Sequence, residues 1–299
     1  MKKIEVRPIT SWLSMLKSKQ WDYFGTRHFR DNGFKPDTVN PCPEFINQKR
    51  LWMHLGTFTD YMIRKFFRDN LISPDAEIVL EEYLISEISL RQLYYEDNKA
   101  TIVLGSTEEE IQNSLKLYEM GSKWINNYKN KNWKNVIQDT WLISDLDSLY
   151  RSGHFPQIKP LEEPEIKEIT IFLKNILEWL QKTFNSAKKI YLNPTLGISN
   201  LVKADADLII DNSLLDIKTT KHPNKAPNNE VNQLLLYTSL CYYNSIKKLQ
   251  DFPVIDKIVF IFPQQLALWE RDLHDFKIND RENMISKLKN LSEGKSIVI

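Results

Sequence analysis

Cysteine is nearly absent from this chain: Cys42 and Cys241 are the only two in 299 residues. Two thiols so far apart cannot build a four-cysteine zinc or iron–sulfur site. They predict a cytoplasmic protein with reduced thiols, in which Cys241 is a small buried hydrophobe of a helix. Glycine is scarce as well, with 8 residues against 13 prolines, and no segment has the low-complexity composition of a disordered tail. No apolar run approaches the ~18 residues of a membrane-spanning helix, so no membrane partner is expected. The N-terminal stretch lacks the apolar core and small-residue cleavage site of a secretory signal. An excess of one charge is missing too, since 40 basic residues balance 39 acidic ones for a net charge of +1. A polyanionic partner would therefore meet a local patch, not the field of the whole protein. No Gly-x-x-x-x-Gly-Lys-[Ser/Thr] phosphate loop occurs, which excludes a recognisable ATPase site of that kind.

Hydrophobic residues make up 42% of the chain, enough to fill a real core. Leu51, Leu55, Phe58, Met62 and Phe66 follow a helical face and predict a helix from about Asn47 to Asp69. The next hundred residues read mainly as helix, with segments at Glu77 to Leu90 and Glu108 to Asn127 packed together by Trp124, Trp133 and Trp141. Three prolines mark His154 to Pro164 as a linker, and a helix is expected from Pro164 to Phe184. Short β-rich runs follow at Lys189 to Leu192, Val202 to Ile210 and Leu214 to Thr220. After them come a helix from Glu230 to Asn244, a strand from Lys257 to Phe262, a turn at Pro263 to Gln265, a run from Leu266 to Glu270 and a last helix near Asp280 to Leu291. This divides the chain into an N-terminal arm (1–45), a helical region (46–185) and a mixed α/β core (186–299) ordered helix, three strands, helix, strand.

The chemistry concentrates in residues 204–220. Alternation places Ala206, Leu208, Ile210, Leu215 and Ile217 on one face of a hairpin and the polar groups on the other. A turn of two or four residues centred between positions 211 and 213 puts Asp207, Asp216 and Lys218 on the same face. A three-residue turn throws Asp216 and Lys218 to the side opposite Asp207. Two carboxylates and an ammonium on a half-buried face are costly unless they bind something. A hard divalent cation, Mg²⁺ or Mn²⁺, is the natural occupant, held by Asp207, Asp216 and the carbonyl of Ile217, with Lys218 orienting or deprotonating the attacking water or neutralising the transition state. An acid-x-Lys triplet alone is common: Asp97 and Lys99, Glu165 and Lys167, Asp275 and Lys277, and Glu293 and Lys295 are others, each with the pattern of a solvated surface pair. Only Asp216 and Lys218 sit in an apolar strand whose hairpin partner supplies a second acid. Gln233 and Tyr237, four residues apart, share a face of the following helix, where an amide and a phenol can touch a nucleic-acid strand.

The set Asp207, Asp216-Ile217-Lys218 and Gln233-Leu-Leu-Leu-Tyr237 resembles the PD-(D/E)XK nuclease superfamily and, within it, the RecB-type branch. Where that branch often carries Gly before its aspartate, this chain has Ala204. The resemblance spans roughly residues 189 to 262 and implies a restriction-endonuclease-like core of mixed sheet flanked by helices, here with a large helical insertion. It also implies an acid in an early core helix. Gly56-Thr-Phe-Thr-Asp60 is similar to that motif and makes Asp60 a candidate third ligand, with a structural pair to Arg64 as the plain alternative and Glu178 as the rival ligand. Lys188, Lys189, Lys203, Lys221, His222 and Lys225 surround the motifs in sequence and form the expected basic patch.

These readings imply a metal-dependent nuclease that hydrolyses phosphodiester bonds, with DNA as the expected substrate and with repair, restriction and antiphage defence all compatible. The alternative is a nuclease-fold nucleic-acid-binding or assembly module, active only within a larger complex or not at all. A helicase or recognition protein would then be supplied by a separate partner.

Overall fold

The computed structural model describes residues 7–8, 39–69, 72–73, 75–93, 108–130, 136–147, 149, 159–197, 202–220 and 228–276. The expected helix at Asp280 to Leu291, Trp133, Lys221, His222 and Lys225 lie outside them. The chain divides into two compact units. One contains residues 40–74 and 83–185, and the other is assembled from 75–82 and the described part of 186–299, with the strand β1 (Arg7–Pro8).

The first unit is helical. Its described helices are α1 (Lys49–Arg68), α2 (Ile85–Leu93), α3 (Glu108–Asn130), α4 (Ile137–Asp145) and α5 (Glu163–Thr183). α5 starts where its sequence says it should. Pro164 sits in the first turn, and Glu165 reaches back to accept the Glu162 N–H at 2.7 Å, so one orphan donor of the helix end is satisfied. One core joins Tyr61 of α1 to Leu90, Ile125, Tyr128 and Ile143 of α2, α3 and α4. At Gly121 a β-carbon would stand 2.8 Å from a methyl of Leu90, so a larger residue there would force the Leu90 side chain to shift. Trp141 is buried edge-on against His54 and Phe58, at ring separations of 4.1 and 5.4 Å. Lys65 is fully enclosed, its ammonium bonded to the Tyr128 carbonyl at 2.7 Å and paired with Asp69 at 3.0 Å. No described helix is long and apolar enough to cross a membrane.

The second unit is a mixed α/β structure around an open six-stranded sheet. Its strands are β2 (Glu77–Glu81), β3 (Lys189–Leu192), β5 (Leu208–Ile210), β6 (Ser213–Ile217), β7 (Lys257–Phe262) and β8 (Ala267–Asp272), hydrogen-bonded in that order. β2 with β3 and β6 with β7 run parallel, and the other neighbours run antiparallel. Parallel neighbours need a crossover, and α6 (Asn228–Ile246) is the one between β6 and β7. Val231, Leu234, Leu235 and Leu240 of α6 pack with Ile209, Leu214, Ile258 and Phe260 of the sheet, so α6 covers the face that also carries Asp216.

Two sequence expectations are corrected here. The segment Glu77 to Leu90 is not one helix: Glu77–Glu81 is the edge strand β2 and the helix begins at Ile85. Exposure alternates along Glu77–Glu81 with a period of two, and the parallel ladder with β3 provides backbone partners that a short helix would not outbid. Nor is Val202 to Ile210 one strand. Val202–Lys203, here β4, pairs in parallel with Arg7–Pro8, while Leu208–Ile210 joins the main sheet. Between them Ala206 N–H donates to the Pro194 carbonyl and the Ala204 carbonyl accepts from Leu196, so the pleat is broken just before Asp207.

Candidate active site

The geometry begins with a turn. Asp211 adopts a left-handed φ of 51°, a conformation that aspartate tolerates better than most side chains, and Asp211 and Asn212 alone connect β5 to β6. Asp211 Oδ1 accepts the N–H groups of Lys188 and Lys189 at 3.1 and 2.9 Å, which pins the turn to the start of β3. A two-residue turn fixes the register: Ile210 lies opposite Ser213, Ile209 opposite Leu214 and Leu208 opposite Leu215. Continued by one pair on each side of the pleat, this register puts Asp207, Asp216 and Lys218 on one face.

That face is not polar throughout, which corrects the simple alternation read from sequence. Ile209 and Leu214 occupy its middle and are fully buried, and only its far end carries charge. Asp216 lies beside Phe260 of β7 in register and is only 8% exposed. Lys218 continues the ladder through its N–H to the Ile261 carbonyl at 2.9 Å. The next residues are held too, because Gln265, in the 3-10 turn Pro263–Gln265, donates to the Thr220 carbonyl at 2.8 Å.

Asp207 Oδ2 accepts the N–H of Ile217 at 2.8 Å. In extended backbone the N–H and C=O of one residue point to the same side, so the Ile217 carbonyl is directed toward Asp207 as well. Lys218 Nζ stands 2.8 Å from Asp216 Oδ2. Burial pushes the Asp216 carboxyl up to about 7; Lys218 opposes this, and the nearby charges of Asp207 and Glu230 add to it. Burial pulls the Lys218 ammonium down, but Asp216, Asp207 and Glu230 outweigh it and hold its pKa above the ordinary lysine value.

On α6, Gln233 Nε2 donates to Tyr237 Oη at 2.7 Å, so the two predicted contacts form one hydrogen-bonded pair. Burial raises the Tyr237 phenol; the Gln233 bond lowers it, and the fields of Asp216, Asp207 and Asp205 raise it further. Glu230, in the first turn of α6, is the site residue that the motif reading passed over. Its position one turn before Gln233 on the same helical face is the signal that could have found it.

Other predicted residues are engaged elsewhere. Asp60 lies in the helical unit and accepts from Arg64, with Nε to Oδ1 at 2.7 Å and a second contact between Nη2 and Oδ2. Glu178 is 58% exposed at its side chain and pairs loosely with Lys174 at 3.8 Å. Lys188 and Lys189 lie at the turn end of the hairpin, where β3 meets Ile210, whereas Asp207 follows the opposite end of that ladder beyond Leu208. They line a cavity of about 330 Å³ with Tyr191, Asp251 and Phe252, and so do not belong to a basic patch around the acids. Among the described residues, no group of three or more His, Cys, Asp or Glu side chains is arranged to hold a metal ion.

No protein-family model, no curated protein and no solved structure matches this chain.

Proposed function

We propose that this chain is a divalent-metal-dependent nuclease of the PD-(D/E)XK type, acting on phosphodiester bonds of DNA. The observation that carries the reading is the convergence of Asp207, Asp216 and Lys218 at one end of the β5–β6 hairpin, with Asp216 enclosed beside Phe260. A carboxylate enclosed this far is costly to ionise, and a single ammonium at 2.8 Å compensates only part of a field made by Asp216, Asp207 and Glu230.

The donor set fits a hard cation. Asp216 and Asp207 offer carboxylate oxygens, and the Ile217 carbonyl is directed to the same side, an all-oxygen set of the kind Mg²⁺ or Mn²⁺ takes. Such an ion supplies positive charge to the attacked phosphate and lowers the pKa of the attacking water.

The chain's own residues have distinct tasks. Lys218, whose ammonium stands 2.8 Å from Asp216, is placed to neutralise charge that develops on the phosphate. Asp207 fixes the Ile217 peptide and thereby the separation between β5 and the end of β6. Tyr237 has an acceptor position filled by Gln233 and is held neutral, so its remaining capacity is to donate, as a contact to a phosphate oxygen requires.

The test is cleavage of DNA and RNA by the purified chain with Mg²⁺ or Mn²⁺, beside Asp216→Ala and Lys218→Ala. The expected result is metal-dependent DNA cleavage that falls at least ~100-fold in each variant. Equal cleavage by all three proteins would sink the reading.

A second reading is an assembly or nucleic-acid-binding module on the same fold. The helical unit favours it, since residues 40–74 and 83–185 form a compact body with a core of their own that a minimal phosphodiester site does not need. DNA binding without cleavage, alone and with candidate partners, would select it.

A further inference from the structure

The cavity of about 330 Å³ at the turn end of the hairpin has no part in the function proposed above. Tyr191 and Phe252 are its buried lining, with ring centroids 6.0 Å apart, and Lys188, Lys189, Asn212 and Asp251 are its exposed lining. Tyr191 is only 5% exposed, and among the described residues its hydroxyl has no hydrogen-bond partner. A buried hydroxyl left unbonded is costly, and one that lines a cavity recovers the loss from what the cavity holds.

The two lysines are in a similar state. Their backbone N–H groups are fixed to Asp211 Oδ1 at 3.1 and 2.9 Å, so both side chains leave an anchored backbone. Neither ammonium forms an ion pair with a described carboxylate. The Asp211 charge is partly offset by the two N–H groups it accepts. Asn212 donates its amide to Asp256 at 3.0 Å, which leaves its side-chain oxygen as an acceptor, and Asp251 is a second acceptor on the same lining. The cavity therefore combines three unused donors, two of them cationic, with two acceptors and buried aromatic carbon. Its volume lies at the low end of the ~300–1,000 Å³ of small-molecule sites, which suits a small metabolite and not a polymer.

We propose that this cavity binds a small phosphate monoester bearing hydroxyl or amino groups, the chemistry shared by sugar phosphates and nucleoside monophosphates. Lys188, Lys189 and the Tyr191 hydroxyl donate to the phosphate, while Asp251 and Asn212 accept from the remainder of the ligand. The site does not depend on the nuclease reading, since it shares no residue with Asp207, Asp216 and Lys218.

Titration calorimetry on the full-length protein, in chelator and phosphate-free buffer, tests this with ribose phosphate, adenosine monophosphate, adenosine and inorganic phosphate. At least one of the two esters should bind ~10-fold or more tighter than adenosine and inorganic phosphate, and the tighter ester identifies the source. Replacing both lysines by Lys188→Ala and Lys189→Ala should weaken that binding at least ~10-fold, and arginine at both positions should restore it to within about threefold. Tyr191→Phe should weaken it roughly 3- to 10-fold without lowering the melting temperature, because the hydroxyl has no partner to lose in the free protein. Lys218→Met should bind as wild type does. Binding of neither ester, or undiminished binding without the two lysines, would overturn the proposal. A loss in Lys218→Met would also overturn it by locating the phosphate at the acids, and a lower melting temperature in Tyr191→Phe would make the hydroxyl structural.

Discussion

Asp207 and Ile217 are joined by a hydrogen bond between a side chain and a backbone, carboxylate Oδ2 to amide N–H at 2.8 Å, at the point where the β5–β6 ladder has ended. The bond replaces a missing rung. Leu208 still pairs with Leu215, but the chain before it turns away to bond Pro194 and Leu196, and the Asp207 side chain supplies the acceptor that the backbone no longer offers. One residue thus closes the sheet locally and sets a negative charge beside Asp216.

That double role separates two substitutions. Asp207→Ala leaves a buried amide unpaired and should destabilise the fold by about 1–3 kcal/mol, read by urea denaturation. Asp207→Asn keeps an acceptor oxygen and should cost less than about 1 kcal/mol. Both should lower metal-dependent cleavage at least ~100-fold, since both remove the charge. An active Asn variant would show that the carboxylate serves the fold alone.

The enclosed Asp216 gives the metal-free protein a particular pH dependence. Its carboxyl titrates at about 7 in the fold and at 3.8 when unfolded, so between those values the folded chain holds the extra proton. Its contribution to stability is complete below pH ~4 and is lost as the pH rises through about 7, at no more than ~1.4 kcal/mol per pH unit. Asp216→Asn should remove this slope. At pH 8 the variant should melt higher than wild type in chelator, while binding Mn²⁺ far more weakly. A wild-type melting curve with no difference in slope from the Asn variant between pH 4 and 7 would contradict the burial argument.

Tyr237 and Gln233 form one unit, so their substitutions should not add. Tyr237→Phe deletes the acceptor for Gln233 and the donor proposed for phosphate, at about 0.5–1.5 kcal/mol of stability. It should raise KM for DNA several-fold. Gln233→Ala in the Tyr237→Phe background should change KM by less than about twofold. Additive effects on KM would mean that each residue contacts the nucleic acid separately.

The site was legible in the sequence where period and turn length sufficed. Asp207, Asp216 and Lys218 share a face because strands alternate and the turn has two residues, and both features are local. Gln233 and Tyr237 follow from a helical spacing of four. Glu230 carried no motif, and only the packing of α6 against β6 makes it part of the site. The strand at Glu77–Glu81 was hidden for a similar reason: Ile78, Val79 and Leu80 suit a helix or a strand, and the choice belongs to β3, more than a hundred residues further along. The tie between the turn and Lys188 and Lys189 at the start of β3 was equally invisible, because a backbone donor has no sequence signature.

Asp60 offers the last discrimination. Its carboxylate is held by Arg64 through two nitrogens, in a pair that water reaches poorly, and the guanidinium also lies over the Tyr61 ring at 5.8 Å. Asp60→Asn should weaken the two-nitrogen pairing with Arg64 and destabilise the helical unit by roughly 1–3 kcal/mol. Glu178→Gln, at an exposed and loosely paired position, should change stability by less than about 0.5 kcal/mol. If Arg64 is the full reason for Asp60, Mn²⁺ affinity measured by calorimetry stays within about twofold of wild type in Asp60→Asn. A loss of tenfold or more would overturn the assignment of Asp60 to Arg64 alone.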